Sequence, residues 1–414
     1  MVKYKELGYK INHKYILKYM ILMFYNLFIR LLQYHFFDYM FIDLIRKRLC
    51  MIKKILISSI LFFLFPIHVL AISAQDAVVM DLNSGRVLYD LNSHDQRLIA
   101  SITKIMTTIV TIMYSDLNKT VVVDEDVLKA YGSSVYLEVG EEIKLKDLLY
   151  GLMLRSGNDA AIAIANTVAG SMDNFVYLMN EYASTIGMKD THFVNAHGLD
   201  SKGVGNISTA YDMALLTKVA MQNKTFREIF ATRNYKASSN LKDYNWAGKN
   251  KLFSMYPYTT GGKTGYTDAA RRTLVTTASK DNKNLVVVTL NDGNDFNDHK
   301  ELYETYFDKY KAIEVLNKDN FKVEDNYYKN VSFYIKNNYY ALVTDNEEKD
   351  LKVDITLYKY DTVYNDIKVG EAKVMLNDTL LHTESIYIKK NEVIKTEKEK
   401  EGLFKKIIKW FRSW

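Results

Sequence analysis

The 414-residue chain is poor in the residues that usually staple or break a fold: one cysteine, Cys50, and two prolines, Pro66 and Pro257. A single cysteine excludes an intrachain disulfide and leaves the redox compartment unreadable from cysteine usage. Positive charge is also scarce where a nucleic-acid binder would need it. Residues 1–74 hold eleven Lys/Arg against three Asp/Glu, a net +8, so with +6 for the whole chain residues 75–414 carry −2. That balance argues against nucleic acid as a partner. His192 and His197 have no convincing third ligand nearby, so turn or surface positions explain them better than a metal site.

Long uninterrupted apolar runs are missing from the first fifty residues, where Lys18, Arg30, Asp38 and Asp43 break any stretch long enough to span a bilayer. A complete secretory signal follows. Met51, Ile52, Lys53 and Lys54 make a charged start, Ile55 to Leu70 an apolar core, and Ala71, Ser73 and Ala74 a small-residue cleavage region. The expectation is that residues 1–50 are a dispensable or non-native extension, that 51–74 are a signal peptide, and that the rest of the chain is exported. A genuine membrane-embedded extension is the alternative.

The stretch with chemistry in it is Ala100-Ser101-Ile102-Thr103-Lys104. Ile102, Ile105, Met106, Ile109 and Met113 recur at helical spacing and predict a buried helix face. Ser101 and Lys104, three apart, share another face of the first turn. An amine there activates the hydroxyl only if it is neutral. At an ordinary lysine pKa, neutrality at pH 7 costs about 4.6 kcal/mol, so burial or a second cation must lower it. The tetrad alone is weak evidence, because Ser239 to Lys242 repeats it in a polar stretch.

Two further triplets follow. Ser156-Gly157-Asn158 stands at a break between a Leu/Met-rich helix, 145–154, and a small-residue helix, 160–168; a helix-cap turn would use the same residues. Lys263-Thr264-Gly265 leads through Tyr266 into strands at 273–278 and 285–290, a β-hairpin turning at 281–284. Its lysine and hydroxyl suit a carboxylate.

The order Ser101-x-x-Lys104, Ser156-x-Asn158, Lys263-Thr264-Gly265 is the motif set of penicillin-recognising serine enzymes. The chain resembles the low-molecular-weight penicillin-binding proteins, the serine D-Ala-D-Ala carboxypeptidases of peptidase family S11. The likeness extends to Asp81 through Leu88, Ser156 through Ala161, Gly187-Met188 through Asn195, Gly198-Leu199 and Ser208 through Ala214, over roughly residues 75–310. It implies an α+β fold in which an antiparallel sheet flanked by helices, of the penicillin-binding and serine β-lactamase kind, precedes a small all-β domain. It also implies Ser101 as nucleophile, Lys104 as base and Ser156 as proton relay. Asn158 would bind the substrate amide and hold Lys104, and Lys263 and Thr264 would receive the C-terminal carboxylate. Gly265 and Tyr266 would line the substrate, with the N–H groups of Ser101 and Tyr266 as oxyanion hole. No zinc or organic cofactor is implied; the partners would be peptidoglycan stem peptides and, as inhibitors, β-lactams. Arg271 in place of a usual glycine, and Asn206 in place of a common histidine, depart from the pattern and would affect peptide preference.

Beyond residue 311 strict alternation of Leu351, Val353, Ile355 and Leu357 with polar residues predicts a half-buried strand. With further strands at 331–335, 339–344, 372–376 and 385–388, it forms the all-β domain, 311–394. Residues 395–401 read as a charged linker. Leu403, Phe404, Ile407, Ile408, Phe411 and Trp414 share one face of a short basic amphipathic helix that would lie on the outer face of the cytoplasmic membrane. The rival functions are a DD-endopeptidase, a β-lactamase of the same fold, and a non-catalytic wall-binding or penicillin-sensing module. The endopeptidase is the closer rival, because it shares the three active-site triplets.

Overall fold

The computed structural model describes residues 17–25, 51, 53, 72–328, 331–361 and 364–390. The chain divides into two compact units, Met1–Val69 and Leu70–Trp414. In the first, residues 17–25 are helical and exposed. Most of the expected signal peptide, and all of the expected linker and amphipathic helix, lie outside the described residues. Among the described residues no helix is long and apolar enough to cross a membrane.

The second unit is built on a five-stranded antiparallel sheet. Its strands are β1 (Asp76–Asp81), β2 (Val87–Leu91), β3 (Thr259–Thr267), β4 (Arg271–Lys280) and β5 (Lys283–Leu290), in the order β2-β1-β5-β4-β3. β1 is buried along its whole length, and β5 from Leu285 onward. Such near-continuous apolar runs mark strands covered on both faces. On β5, Val286, Val288 and Leu290 enter one core while Leu285 and Val287 enter the other, the two-residue period of a strand dividing its side chains between two layers.

The larger core holds the helices α1 (Lys104–Tyr114), α2 (Leu145–Arg155), α3 (Asn158–Ala169), α4 (Met172–Ile186), α5 (Ala210–Ala220) and α6 (Lys224–Ala231). The other face is covered by α7 (Asp295–Lys309), through Phe296, Leu302, Tyr303 and Phe307. α1 is buried from Lys104 to Thr111, around its whole circumference. Its threonines tolerate this because their hydroxyls bond backbone carbonyls: Thr107 to Ala196, Thr108 to Lys104 and Thr111 to Thr107. Met113, expected on the buried face, is 56% exposed, because the last turn projects beyond the packed helices.

From Tyr310 the chain enters β6 (Lys311–Leu316), then β7 (Val331–Tyr334), β8 (Tyr339–Val343), β9 (Leu351–Leu357), β10 (Lys368–Leu376) and β11 (Thr379–Lys390). β6 pairs with β8, and the others form a sheet in the order β7-β11-β10-β9 around a separate apolar cluster. β6 escaped the sequence reading. β9 corrects it: Val353 and Ile355 are 37% and 42% exposed, because β9 is the outermost strand and only its ends, Leu351 and Leu357, reach the cluster. The two blocks join at Arg86, which donates to the Leu342 carbonyl (3.0 Å), pairs with Glu347 and lies over the Tyr310 ring.

Candidate active site

Ser101 lies in a 3₁₀ turn, Ala100–Thr103, that runs directly into α1. Ala100, just before it, holds a left-handed φ of +48°, a conformation that strains an L-residue by about 1–2 kcal/mol. The surrounding packing enforces it: Asn206 Nδ2 donates to Thr103 Oγ1 (2.9 Å), and Thr273 Oγ1 on β4 donates to the Ile99 carbonyl (3.0 Å). β3 also passes the turn closely. A Cβ on Gly265 would come within 2.9 Å of the Ser101 nitrogen and 2.3 Å of Thr273 Oγ1, so glycine alone lets the strand edge reach the turn. Gly198, at φ +86°, does the same from the opposite side, where a Cβ would meet the Ala100 carbonyl oxygen at 2.0 Å.

Ser156 ends α2 with φ +63° and ψ +36°, the second non-glycine residue in the left-handed region at this site. That twist lets α3 begin at Asn158 and sends the two side chains toward the same interior. Asn158 is 1% exposed; its Oδ1 accepts from Lys104 Nζ (2.8 Å) and its Nδ2 donates to the Tyr131 carbonyl (2.6 Å). Its Oδ1 thus holds Lys104, and one of the two Nδ2 hydrogens is not used by the Tyr131 contact.

Lys104 is fully buried and has three neighbours: Asn158 Oδ1, the His197 carbonyl, and Ser101 Oγ at 3.0 Å. Burial first, then the charges of Lys263 and Lys249, hold its pKa well below the usual lysine range. A neutral amine has two protons and one lone pair. Were the amine neutral, the two other acceptors would take its protons and leave its lone pair for the Ser101 hydroxyl; charged, it donates to Ser101 Oγ as well. Lys263, 2% exposed, donates to Ser156 Oγ (3.1 Å) and to the Thr264 carbonyl (2.6 Å). Burial, with help from Lys249, brings its pKa down to about 7.

These groups border a cavity of about 320 Å³ lined by Ser101, Ser156, Thr264, Gly265 and Tyr266, with Ser133 and Lys249 on the far wall and Lys251, Arg272 and Phe296 further out. The one carboxylate in the lining, Asp295, is held by Arg272 at 2.9 Å. The cavity therefore offers uncompensated positive charge beside an activated hydroxyl, a place for an anionic acyl compound. The repeated tetrad has another fate. Ser239 Oγ accepts from the N–H groups of Leu241 and Lys242 in a hairpin turn, and Lys242 Nζ pairs with Glu138 at 2.6 Å.

A family model described as D-alanyl-D-alanine carboxypeptidase, peptidase S11, matches residues 65–294, more than half of the chain. The chain belongs to this carboxypeptidase family. It is 36% identical over 225 residues to the D-alanyl-D-alanine carboxypeptidase DacF of Bacillus subtilis, a match that takes in 53% of this chain and 57% of that protein. The chain thus spans little more than half the length of that relative. A crystal structure of a D-alanyl-D-alanine carboxypeptidase from Mycobacterium tuberculosis superposes with a TM-score of 0.55 at 32% identity, over 59% of this chain and 95% of the other. Penicillin-binding protein 5 of Haemophilus influenzae, at 24% identity, shares the fold over 78% of this chain and 98% of its own, with a TM-score of 0.61.

Against the family pattern, Asn206 is 2% exposed and holds a loop through the N–H groups of Val194 and Asn195, away from the cavity. Arg271 occupies the β3–β4 turn at φ +59°, a conformation the usual glycine adopts without strain. Three contributors escaped the sequence reading. His197, expected at a turn or surface, is partly buried, and burial followed by Lys104 brings its pKa down to about 4. Its part in the site is played by its carbonyl, which no sequence pattern advertises. Asp159 gathers the N–H groups of Val135 and Leu137 and the Ser134 hydroxyl, so it shapes the wall that carries Ser133. Lys249, reaching Ser133 Oγ at 2.9 Å, is the third lysine. Its proximity to a Lys-Thr-Gly strand was the available signal.

Proposed function

We propose that the protein is a serine-type D-Ala-D-Ala carboxypeptidase that removes the terminal D-alanine from peptidoglycan stem peptides through an acyl-enzyme and is inhibited by penicillin. The observation that carries this is the set of three partners around Lys104, which suits a neutral amine and aims its lone pair at Ser101 Oγ. Lys104 takes the Ser101 proton as Oγ attacks the carbonyl between the two terminal D-alanines. The N–H groups of Ser101 and Tyr266 hold the oxyanion, at about 3 kcal/mol per donor. As the C–N bond breaks, the proton passes from Lys104 through Ser156 to the departing amine. Water, deprotonated by the same lysine, then releases the shortened peptide. Thr264 receives the leaving residue's carboxylate, and Lys263 behind it supplies the charge.

The lining favours this over a β-lactamase. The one carboxylate there is tied to Arg272, and Asp159 spends its oxygens on backbone donors. Among the described residues lining the cavity no unpaired acid is placed to activate water against a stable acyl-enzyme, so penicillin should remain attached.

The chain organisation in this reading is an exported precursor with a signal-peptide region at 51–74, cut between Leu70 and Asp76, a catalytic domain at 75–310, an all-β spacer at 311–394 and a peripheral anchor on the outer face of the cytoplasmic membrane at 403–414. The apolar face of that segment, flanked by Lys405, Lys406, Lys409 and Arg412, supports the anchor. Release of D-alanine from a pentapeptide ending in D-Ala-D-Ala, wild type beside Ser101→Ala, tests the activity. An unchanged rate in the variant would overturn it. Flotation with anionic liposomes, with and without residues 402–414, tests the anchor.

A further inference from the structure

Where the second unit begins, the chain lies along the start of α7. The Ser73 N–H donates to Asp298 Oδ2 at 2.5 Å. Ser73 Oγ is 2.7 Å from Asp292 Oδ1 and 2.9 Å from Asp298 Oδ2, and it accepts from the Asn294 N–H at 2.9 Å. One hydroxyl proton therefore faces two carboxylates, which also accept from Asn294: Asp292 Oδ1 from its N–H (3.1 Å) and Asp298 Oδ1 from its Nδ2 (3.2 Å). Both are buried, Asp292 at 1% and Asp298 at 2% exposure, and Asp292 Oδ2 has no hydrogen-bond partner. Neither carboxylate has a lysine or arginine within 4 Å among the described residues, the nearby Arg272 being paired with Asp295.

Buried carboxylates normally face a cation, because the loss of hydration is otherwise uncompensated. Here no cation is in contact, although Arg272 feels the charge of Asp292 from further off, and burial, with Asp298 adding to it, pushes the Asp292 carboxyl up to about 6. Ile72, one peptide unit from Ser73, packs its side chain against the apolar core under α7. Ala71 before it is a small residue of the kind that ends a secretory leader.

We infer that a leader peptidase cuts between Ala71 and Ile72, and that the α-ammonium so formed on Ile72 is the counter-charge of Asp292 and Asp298. Water supplies the hydroxyl that completes the Ala71 carboxylate and a proton to the Ile72 nitrogen, which takes up one more from solvent. The apolar side chain of Ile72 seats the new end, and the ammonium replaces a neutral peptide group one residue before the Ser73 N–H that reaches Asp298. The same turn of α7 carries Asp295, which holds Arg272 in the cavity wall, so trimming the leader braces one side of the active-site cleft. This inference rests on the exported reading of the chain.

The test uses protein purified from its own host. Its intact mass and amino-terminal sequence should place Ile72 first; a mature chain that starts anywhere else overturns the inference. Thermal unfolding of that protein and of Asp298→Asn is then followed from pH 6 to 10. An ammonium held by carboxylates has a folded pKa above its unfolded value of about 8. Its stabilisation is complete below that value and is lost as pH rises through the folded pKa. The Tm advantage of wild type over Asp298→Asn should therefore shrink by roughly 2–4 °C between pH 7 and 10; parallel curves overturn the pairing. Should Asp298→Asn not fold, acylation of the α-amine at pH 7 gives the same answer. It should be on the order of tenfold slower in folded than in urea-unfolded wild type, one unit of raised amine pKa, and equal rates overturn the pairing. D-alanine release by the same sample separates the two readings. An inactive chain that begins at Ile72 counts against the activity alone, and an active chain that begins elsewhere counts against the ammonium alone.

Discussion

The two Ser-x-x-Lys tetrads are spelled alike and differ in nearly everything else. Ser101 and Lys104 open a helix buried around its circumference, with the amine wholly out of water and Lys263 behind it. Ser239 and Lys242 close a hairpin, with the hydroxyl capping backbone N–H groups and the ammonium paired with Glu138. The same spacing brings Ser101 Oγ to 3.0 Å from Lys104 Nζ, whereas Ser239 Oγ meets the backbone of Lys242 and the amine turns away to Glu138. Only desolvation and a neighbouring cation turn the amine into a base. The chemistry is therefore a property of what surrounds the tetrad.

The most severe way to test that contrast is to remove each hydroxyl and amine in turn. Ser101→Ala should abolish labelling by a radioactive penicillin. Lys104→Ala should cut D-alanine release by about 10²–10⁴-fold, the range for losing a positioned base. If Lys104→Ala retained near-wild-type acylation, the buried amine would not be the base. Gly265→Ala comes next. Its Cβ would meet Thr273 Oγ1 and the Ser101 nitrogen, so β3 must withdraw from the turn. A shift of that size should lower kcat/KM by about 10²-fold, while penicillin stays on Ser101 in peptide maps.

The pH profile probes the electrostatics more gently. Lys263, with a pKa of about 7, must be charged to favour a carboxylate. In the free enzyme kcat/KM should therefore decline as pH rises through 7, while bound substrate carboxylate moves the decline of kcat to higher pH. Lys263→Arg should remove the decline near pH 7, and a profile identical to wild type would assign it to another group. Because both lysines titrate lower when folded than when unfolded, the unfolded chain binds more protons, and their contribution to stability grows from pH 7 toward 10. The smallest effect belongs to the other tetrad. Ser239→Ala should leave D-alanine release unchanged and cost about 1 kcal/mol by denaturant unfolding, as for a partly exposed hydrogen bond. A large loss of activity would mean that the hairpin reaches the site.

Much of the frame was legible because it is written in local periodicity. The runs 77–80, 273–278 and 285–290 fall within strands, and the patterns at 145–154, 160–168 and 173–186 within helices, where their periods place them. Three motifs in sequence also named the residues that converge around Lys104. The rest depended on contacts between distant segments. Ala100 and Ser156 adopt left-handed φ angles under tertiary constraint, although neither residue type prefers them. The His197 carbonyl is backbone, so its identity says nothing of its use. β9 alternates like a half-buried strand yet lies at an edge, since period reports which residues share a face and says nothing about whether that face is covered.

Arg86 clasps the all-β block to the turn between β1 and β2. In the sheet order β2-β1-β5-β4-β3, that clasp sits near one margin and the strand bearing Lys263 forms the other. Four interstrand spacings separate the margins, roughly 19 Å. A tug or twist on the all-β block is delivered to the clasp's margin and, through Ala312 and Leu342, to the core beneath α7 on the face of the sheet turned away from α1. The intervening strands absorb the load, and the three lysines keep their spacing while the far end of the molecule is pulled.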